Sequence, residues 1–416
     1  MEKLKYIFLF FIGLINAQET ITLEQCYQWS RENYPLIKKQ ELIKKAEQYT
    51  TENALKGWLP QINIVGQATY QNEVTELPIK LPNISVDPLS KDQYKVFADV
   101  SQTIYDGGNI RNQKNLAKIQ SEVQTIQTEV ELDKLKERIN QLYFGILQTN
   151  KQWTQLQFTK LDIKEGIKKA EAQLKNGVIF RSNLDVLKAE LVKIEQKEIE
   201  LQAIKQNFVQ MLSYFIKKNI DENTQLETPE KILLTKNNNR SELKLFDAQK
   251  QLLETQRKII NTKNTPKLGA FFQGGYGKPG FNMLKNEFDI FYIGGIRLNI
   301  PISGFYTQKN DLALLENQSQ EIEIQRENFL FNQNFIEIQQ RNDLEKIQNL
   351  IDKDNELIEL RKNIKTASLA QLENGVINTN DYLREVTAEE QAILTKITHE
   401  IQYLLTQYNL KAQLNN

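Results

Sequence analysis

No proline falls between Arg111 and Ala172, or between Lys309 and Leu372, and both stretches carry apolar residues at steps of three and four. In the first they run Ile119, Val123, Ile126, Val130, Leu135, Ile139, Leu142 and Ile146, with one step of five slipping the register near Leu132. This is a coiled-coil period. At 1.5 Å per residue the two stretches predict helices of roughly 90 and 95 Å. A globular domain has no use for that length, so the chain is expected to build something elongated.

Shorter helical patterns can pack along the long ones. One starts at Thr22, where Thr22 and Gln25 have the spacing of a capping box, and is expected to continue to Trp58, just before Pro60. A second carries Leu184, Leu187, Leu191, Ile194, Leu201 and Ile204, before the polar stretch Lys217–Asn239. Ser241–Asn264 and Asp381–Lys411 supply a second pair. The junctions repeat too: Asn176-Gly177-Val178-Ile179 answers Asn374-Gly375-Val376-Ile377, and Leu59-Pro60 answers Thr265-Pro266. We expect two structural repeats, 18–239 and 240–416, each ordered helix, two strands, long helix and return helix, the first closing on an equatorial linker.

The strands alternate. Ile62, Ile64, Ala68 and Tyr70 share one face, as do Val96, Ala98, Val100 and Ile104; Leu268, Ala270, Phe272 and Tyr276; and Ile290, Tyr292, Ile296 and Leu298. Opposite them lie Asn63, Gln67, Asp99, Ser101, Thr103 and Arg297. About ten residues with one apolar and one polar face is the signature of a transmembrane β-strand whose other side lines water. A soluble sandwich shares that period. Trp58, Tyr70, Tyr94, Tyr105, Tyr276, Tyr292 and Tyr306, near the ends of the runs, favour the membrane reading, because barrels carry aromatic girdles there. Open edges cannot sit in lipid, and four strands do not close a barrel, so several chains must contribute.

Residues 1–17 combine Lys3 and Lys5, an apolar run from Tyr6 to Ile15, and Ala17, the pattern of a secretory signal peptide. The lone cysteine, Cys26, is expected to pack on a helix face, and the lone histidine, His399, to be solvated or to face a pore. The 53 basic and 53 acidic residues are interspersed, which leaves no electrostatic footprint for nucleic acid. With no phosphate loop, nucleophile elbow or metal-ligand cluster in the sequence, no catalytic residue, cofactor or metal is assigned and an enzyme is not expected.

Several motifs then carry a family resemblance: Leu23-Glu24 with Asn33-Tyr34-Pro35, Leu59-Pro60, Tyr105-Asp106-Gly107-Gly108 and its weaker repeat Pro301-Ile302-Ser303-Gly304-Phe305, the two Gly-Val-Ile turns, and Asp381-Tyr382-Leu383. Their order within a duplicated plan resembles the TolC-like outer-membrane efflux proteins. The resemblance implies a mixed α and β membrane protein: a homotrimer whose twelve-stranded β-barrel, four strands per protomer, sits in outer-membrane lipid and is continued by a long α-helical coiled-coil tunnel in the periplasm. It implies passive exit for substrates delivered by an inner-membrane transporter through a periplasmic adaptor, a membrane fusion protein.

It also implies where the sites lie. The turns Gly177, Val178, Ile179 and Gly375, Val376, Ile377 would dock the adaptor. The pore would narrow at Asp381, where the family places acidic residues. Its second acidic position falls here on Arg384, with Glu385 beside it, so Arg384 is expected to pair with Asp381 or Glu385. Helix N-capping is an equal expectation for Asp381. A type I secretion duct for polypeptides, and a periplasmic coiled-coil scaffold or adhesin, stand as the alternatives.

Overall fold

A computed structural model describes residues 20–75, 88–232 and 239–414; the signal peptide expected at 1–17 lies outside them. The elements run α1 (Leu23–Asn33), α2 (Ile37–Leu55), a 3₁₀ turn (Lys56–Trp58), β1 (Gln61–Tyr70), β2 (Asp92–Tyr105), α3 (Asn109–Lys175), α4 (Arg181–Ile216), α5 (Ser241–Thr262), β3 (Lys267–Lys278), β4 (Asp289–Asn299), α6 (Phe305–Glu373) and α7 (Thr379–Leu414). The long helices hold 67 and 69 residues, a few more than the proline-free windows predict. No helix among the described residues is long and apolar enough to cross a membrane.

The first predicted helix is two. Its capping box is present: Gln25 N–H donates to Thr22 Oγ1 at 3.2 Å, and Thr22 N–H donates to Gln25 Oε1 at 2.9 Å. The continuation to Trp58 fails at Tyr34-Pro35. The proline ring pushes the preceding residue out of helical conformation, and Tyr34 sits at φ −68°, ψ 130°.

Two compact units form, and each draws on both halves of the sequence. One takes the described residues up to Lys38 with Thr128–Ser241 and Phe329 onward; the other takes Lys39–Gln127 and Glu242–Asn328. The first unit has its main core where α3 is apolar almost all round. Leu135, Ile139, Tyr143, Phe144 and Ile146 pack there with Leu23 and Cys26 of α1, Leu212 and Ile216 of α4, and Ile401 and Tyr408 of α7. Burying each such aliphatic or aromatic side chain contributes about 1.5–3 kcal/mol. Cys26 is the packing residue its sequence context predicts; burial and the nearby Glu24 carboxylate push its thiol up to about 12.

Polar groups in this core are partnered. Fully buried Asn140 donates to Asn409 Oδ1 at 2.9 Å and accepts from the Tyr27 hydroxyl. The Tyr143 hydroxyl lies 2.7 and 2.8 Å from the Ile21 and Glu227 carbonyls. It thereby ties the segment after α4 to the start of the described chain, where Ile21 and Leu226 also form a parallel bridge.

The second unit holds one sheet, ordered β1-β2-β3-β4 and antiparallel throughout, so β1 and β4 each have a single neighbour. Directly opposed residues share a face. Register places Ile64 opposite Ala98, Val96 opposite Tyr276, and Ala270 opposite Ile296, all on the predicted apolar face. That face has no cover among the described residues: Ile64 is 81% exposed and Ile290 75%. Asn63, Asp99 and Gln273 line up on the other face, where Gln273 donates to Asp99 at 3.1 Å.

The Asp106-Gly107-Gly108 motif converts strand to helix. Asp106 is buried and caps α3 with both carboxylate oxygens, accepting from Gly108 N–H at 2.8 Å and Ile110 N–H at 2.5 Å. Both glycines sit at positive φ, 71° and 86°. The carboxylate at a helix N-terminus also complements the helix dipole.

Candidate functional site

The two helix-to-helix turns of the first unit end their helices by one device. Gly177 N–H donates to the Leu174 carbonyl at 3.0 Å and Val178 N–H to Gln173 at 2.9 Å; Gly375 donates to Leu372 at 3.1 Å and Val376 to Gln371 at 2.9 Å. These are paired Schellman closures, with glycine at φ 73° and 70° where a side chain is disfavoured. A Cβ at either position meets nothing within 4 Å, so the constraint is backbone conformation alone.

Not all the turn residues point outward. Val178 and Val376 are 67% and 71% exposed, whereas Ile179 and Ile377 turn back against a cluster of Leu156, Ile163, Leu184, Leu187 and Val386. Packed there, the two isoleucines hold the turn from inside. Phe180 is the exposed residue that sequence reasoning missed, at 81%. Its signal was available, since an aromatic at the N-cap of α4 supplies no side-chain cap, which is otherwise the usual task of that position.

The expected constriction residues resolve into different roles. Asp381 is in the first turn of α7 but is not its cap; Asn378 is, with Oδ1 accepting from Asp381 N–H at 3.0 Å. Arg384 pairs with Glu385, Nε to Oε1 at 3.2 Å, and Arg361 of α6 takes the other carboxylate oxygen at 3.2 Å. Glu385 is thus held between two guanidiniums with its side chain 12% exposed, while Arg384 stands 75% exposed. Asp381 has no cation partner among the described residues.

A second set of charges was not legible in the sequence. Lys365 of α6 reaches Asp162 of α3 at 3.0 Å and Glu389 of α7 at 2.5 Å, so one ammonium ties three helices. Burial alone would lower its pKa, but hydrogen bonds to Glu389 and Asp162 outweigh that and hold it above the ordinary lysine value. Lys197 of α4 similarly meets buried Glu390 at 3.1 Å. His399 corrects the sequence reading: it is largely buried, and its Nδ1 lies 2.6 Å from Asp354 of α6, a partner 45 residues away.

Replacing both Gly177 and Gly375 with valine is expected to strain each turn by about 1–2 kcal/mol, the cost of a left-handed L-residue. The main core of the same unit includes neither turn. The double variant should fold with lower heat stability, and a thermal unfolding midpoint equal to that of the unaltered protein would show that the turns tolerate side chains.

With this geometry in view, the relatives can be named. The family model described as outer membrane efflux protein matches residues 26–212. The outer membrane protein VceC from Vibrio cholerae shares the fold at TM-score 0.69 and 13% identity, over 95% of this chain and 96% of its own. The open-state MtrE outer membrane channel of Neisseria gonorrhoeae gives 0.68 at 12% identity, over 95% and 89%. The CmeC outer membrane channel of Campylobacter jejuni gives 0.64 at 13%, over 94% and 85%. No curated protein matches the sequence. These solved outer-membrane channels share the fold of this chain, and the outer membrane efflux protein model covers part of its first half, in keeping with the resemblance its motifs carry.

Proposed function

We propose that this chain is the outer-membrane component of a tripartite efflux system. It acts as a homotrimer whose four-stranded sheets close one twelve-stranded barrel, continued through the periplasm by the helices. The observation that carries this reading is the sheet: among the described residues its apolar face is uncovered, and β1 and β4 each lack a second neighbour. Lipid tolerates the first and forbids the second, so partner chains must supply the missing strands. The repeats 18–239 and 240–416 are then two copies of one hairpin-and-helix unit.

In this reading the turns at Gly177 and Gly375 form the periplasmic tip and meet the adaptor, with Val178, Phe180 and Val376 offering apolar contacts. Three copies of Asp381 converge there and favour cations. Arg384, loosely held by a carboxylate already bound to Arg361, offsets their repulsion. Transport is passive, and the energy comes from an inner-membrane pump.

Purified protein should migrate as a heat-modifiable trimer and conduct in planar bilayers. Asp381→Asn should weaken cation preference and block by multivalent cations, and Arg384→Ala should strengthen both. The two changes should not add, since they act on one constriction. A monodisperse monomer with full β content would sink the trimer. Wild-type conductance and selectivity in both variants would move the constriction elsewhere.

A further inference from the structure

The connection between β3 and β4 does not stand clear of the sheet. Phe97 and Phe291 lie opposite Gly275 from either side, so their rings share the polar face and meet at 6.1 Å between centroids. Gly275 makes this possible, because a Cβ there would fall 2.4 Å from Phe97 Cβ and 2.2 Å from the Val96 carbonyl oxygen. A third ring comes from the connection itself: Phe281 packs edge-on against Phe291 at 5.0 Å. Phe291 is left 6% exposed on a strand whose other side chains are open. Beyond Phe281 the connection is pinned a second time, as Asn286 Oδ1 accepts from both the N–H and the hydroxyl of Ser90 at 3.0 Å.

This cluster sits on the face that carries Asn63, Asp99, Ser101 and Gln273 together with Val65, Phe271 and Ile293, and the burial of Phe291 there comes from the connection that covers it. Both other ends of β3 and β4 lead into α5 and α6, so this connection lies at the end of the sheet away from the helices.

We propose that residues 279–288 form a strap across the outer mouth of the channel, with Phe281 seated on Phe291 and Phe97 as its latch and Asn286–Ser90 as its tether. The strap narrows the mouth against large solutes entering from outside and is displaced by outward traffic. The inference rests on the channel reading above.

Single cysteines test both separately, since the native Cys26 is fully buried and contributes little background. Ser101 shares the polar face with Phe97 and lies further toward α3. A bulky, membrane-impermeant maleimide applied to intact cells should label Ser101→Cys slowly. With Phe281→Ala or Asn286→Ala added, labelling should quicken, by about tenfold for Phe281→Ala, in proportion to the open fraction. Lys285→Cys on the strap should label rapidly in every background, which reports surface exposure and correct assembly. Fast labelling of Ser101→Cys with the strap intact, or equal rates with and without Phe281, would overturn the strap and leave the channel standing. Failure of Lys285→Cys to label before lysis would overturn the channel reading and the strap with it.

Discussion

A valine at Gly107 is expected to prevent the chain from folding altogether. The position combines two constraints that are separate elsewhere in the chain. Its φ of 71° costs an L-residue about 1–2 kcal/mol. Its Cβ would also stand 1.8 Å from Thr265 Oγ1 and 2.8 Å from Thr265 Cβ. That threonine cannot swing aside freely, since its hydroxyl donates to the Thr262 carbonyl at 2.8 Å. Relief requires moving the start of β3 or the cap of α3, and Asp106 would lose the geometry that binds two N–H groups. Gly108 is the internal control. Its φ of 86° is as demanding, but nothing lies within 4 Å of its missing Cβ. Gly108→Ala should therefore fold with reduced heat stability, where Gly107→Val yields no folded protein. Equal yields from the two would show that the contact with Thr265 is easily relieved.

The second large effect is expected at Lys365. Replacing it with methionine keeps most of the packing volume but leaves Glu389, whose side chain is 12% exposed, without its cation. Removing one partner of a buried pair costs about 3–5 kcal/mol, and the lower end applies here because Asp162 is 46% exposed and readily hydrated. The loss falls where α3, α6 and α7 are joined, beside the expected constriction. On the proposed channel reading, Lys365→Met should give more frequent openings in bilayers. Lys365→Arg should restore much of the closure, because a guanidinium can serve two carboxylates. Closure unchanged in Lys365→Met would mean the hydrophobic cluster of Leu156, Ile163 and Val386 suffices.

What the sequence disclosed was local or periodic. The capping box at Thr22, the glycine closures at 177 and 375, the alternation of the strands and the uninterrupted long helices all depend on residues a few positions apart. The break at Tyr34-Pro35 was equally local, yet the apolar pattern resumes beyond it and disguises two helices as one. What stayed hidden depends on which faces of distant helices meet. Lys365 finds Asp162 across about 200 positions, and His399 of α7 finds Asp354 of α6 across 45; no spacing rule announces either. Asp381 and Asn378 show the limit at short range. Both are residue types that cap helices and lie within one turn of the start of α7, and only backbone geometry chooses Asn378.

Asn140 bears on how such a chain avoids assembling wrongly. Helices of nearly 70 residues with a regular apolar stripe have many almost equivalent alignments, because a slide of one heptad restores most apolar contacts. A fully buried amide does not tolerate the slide: displaced from Asn409 and Tyr27, it would face hydrocarbon with its donors and acceptor unmet. Asn140 therefore works as an index mark, penalising each wrong alignment by more than the correct one gains from it. The expense of a polar group in the core is the means by which repetitive helices find a single register.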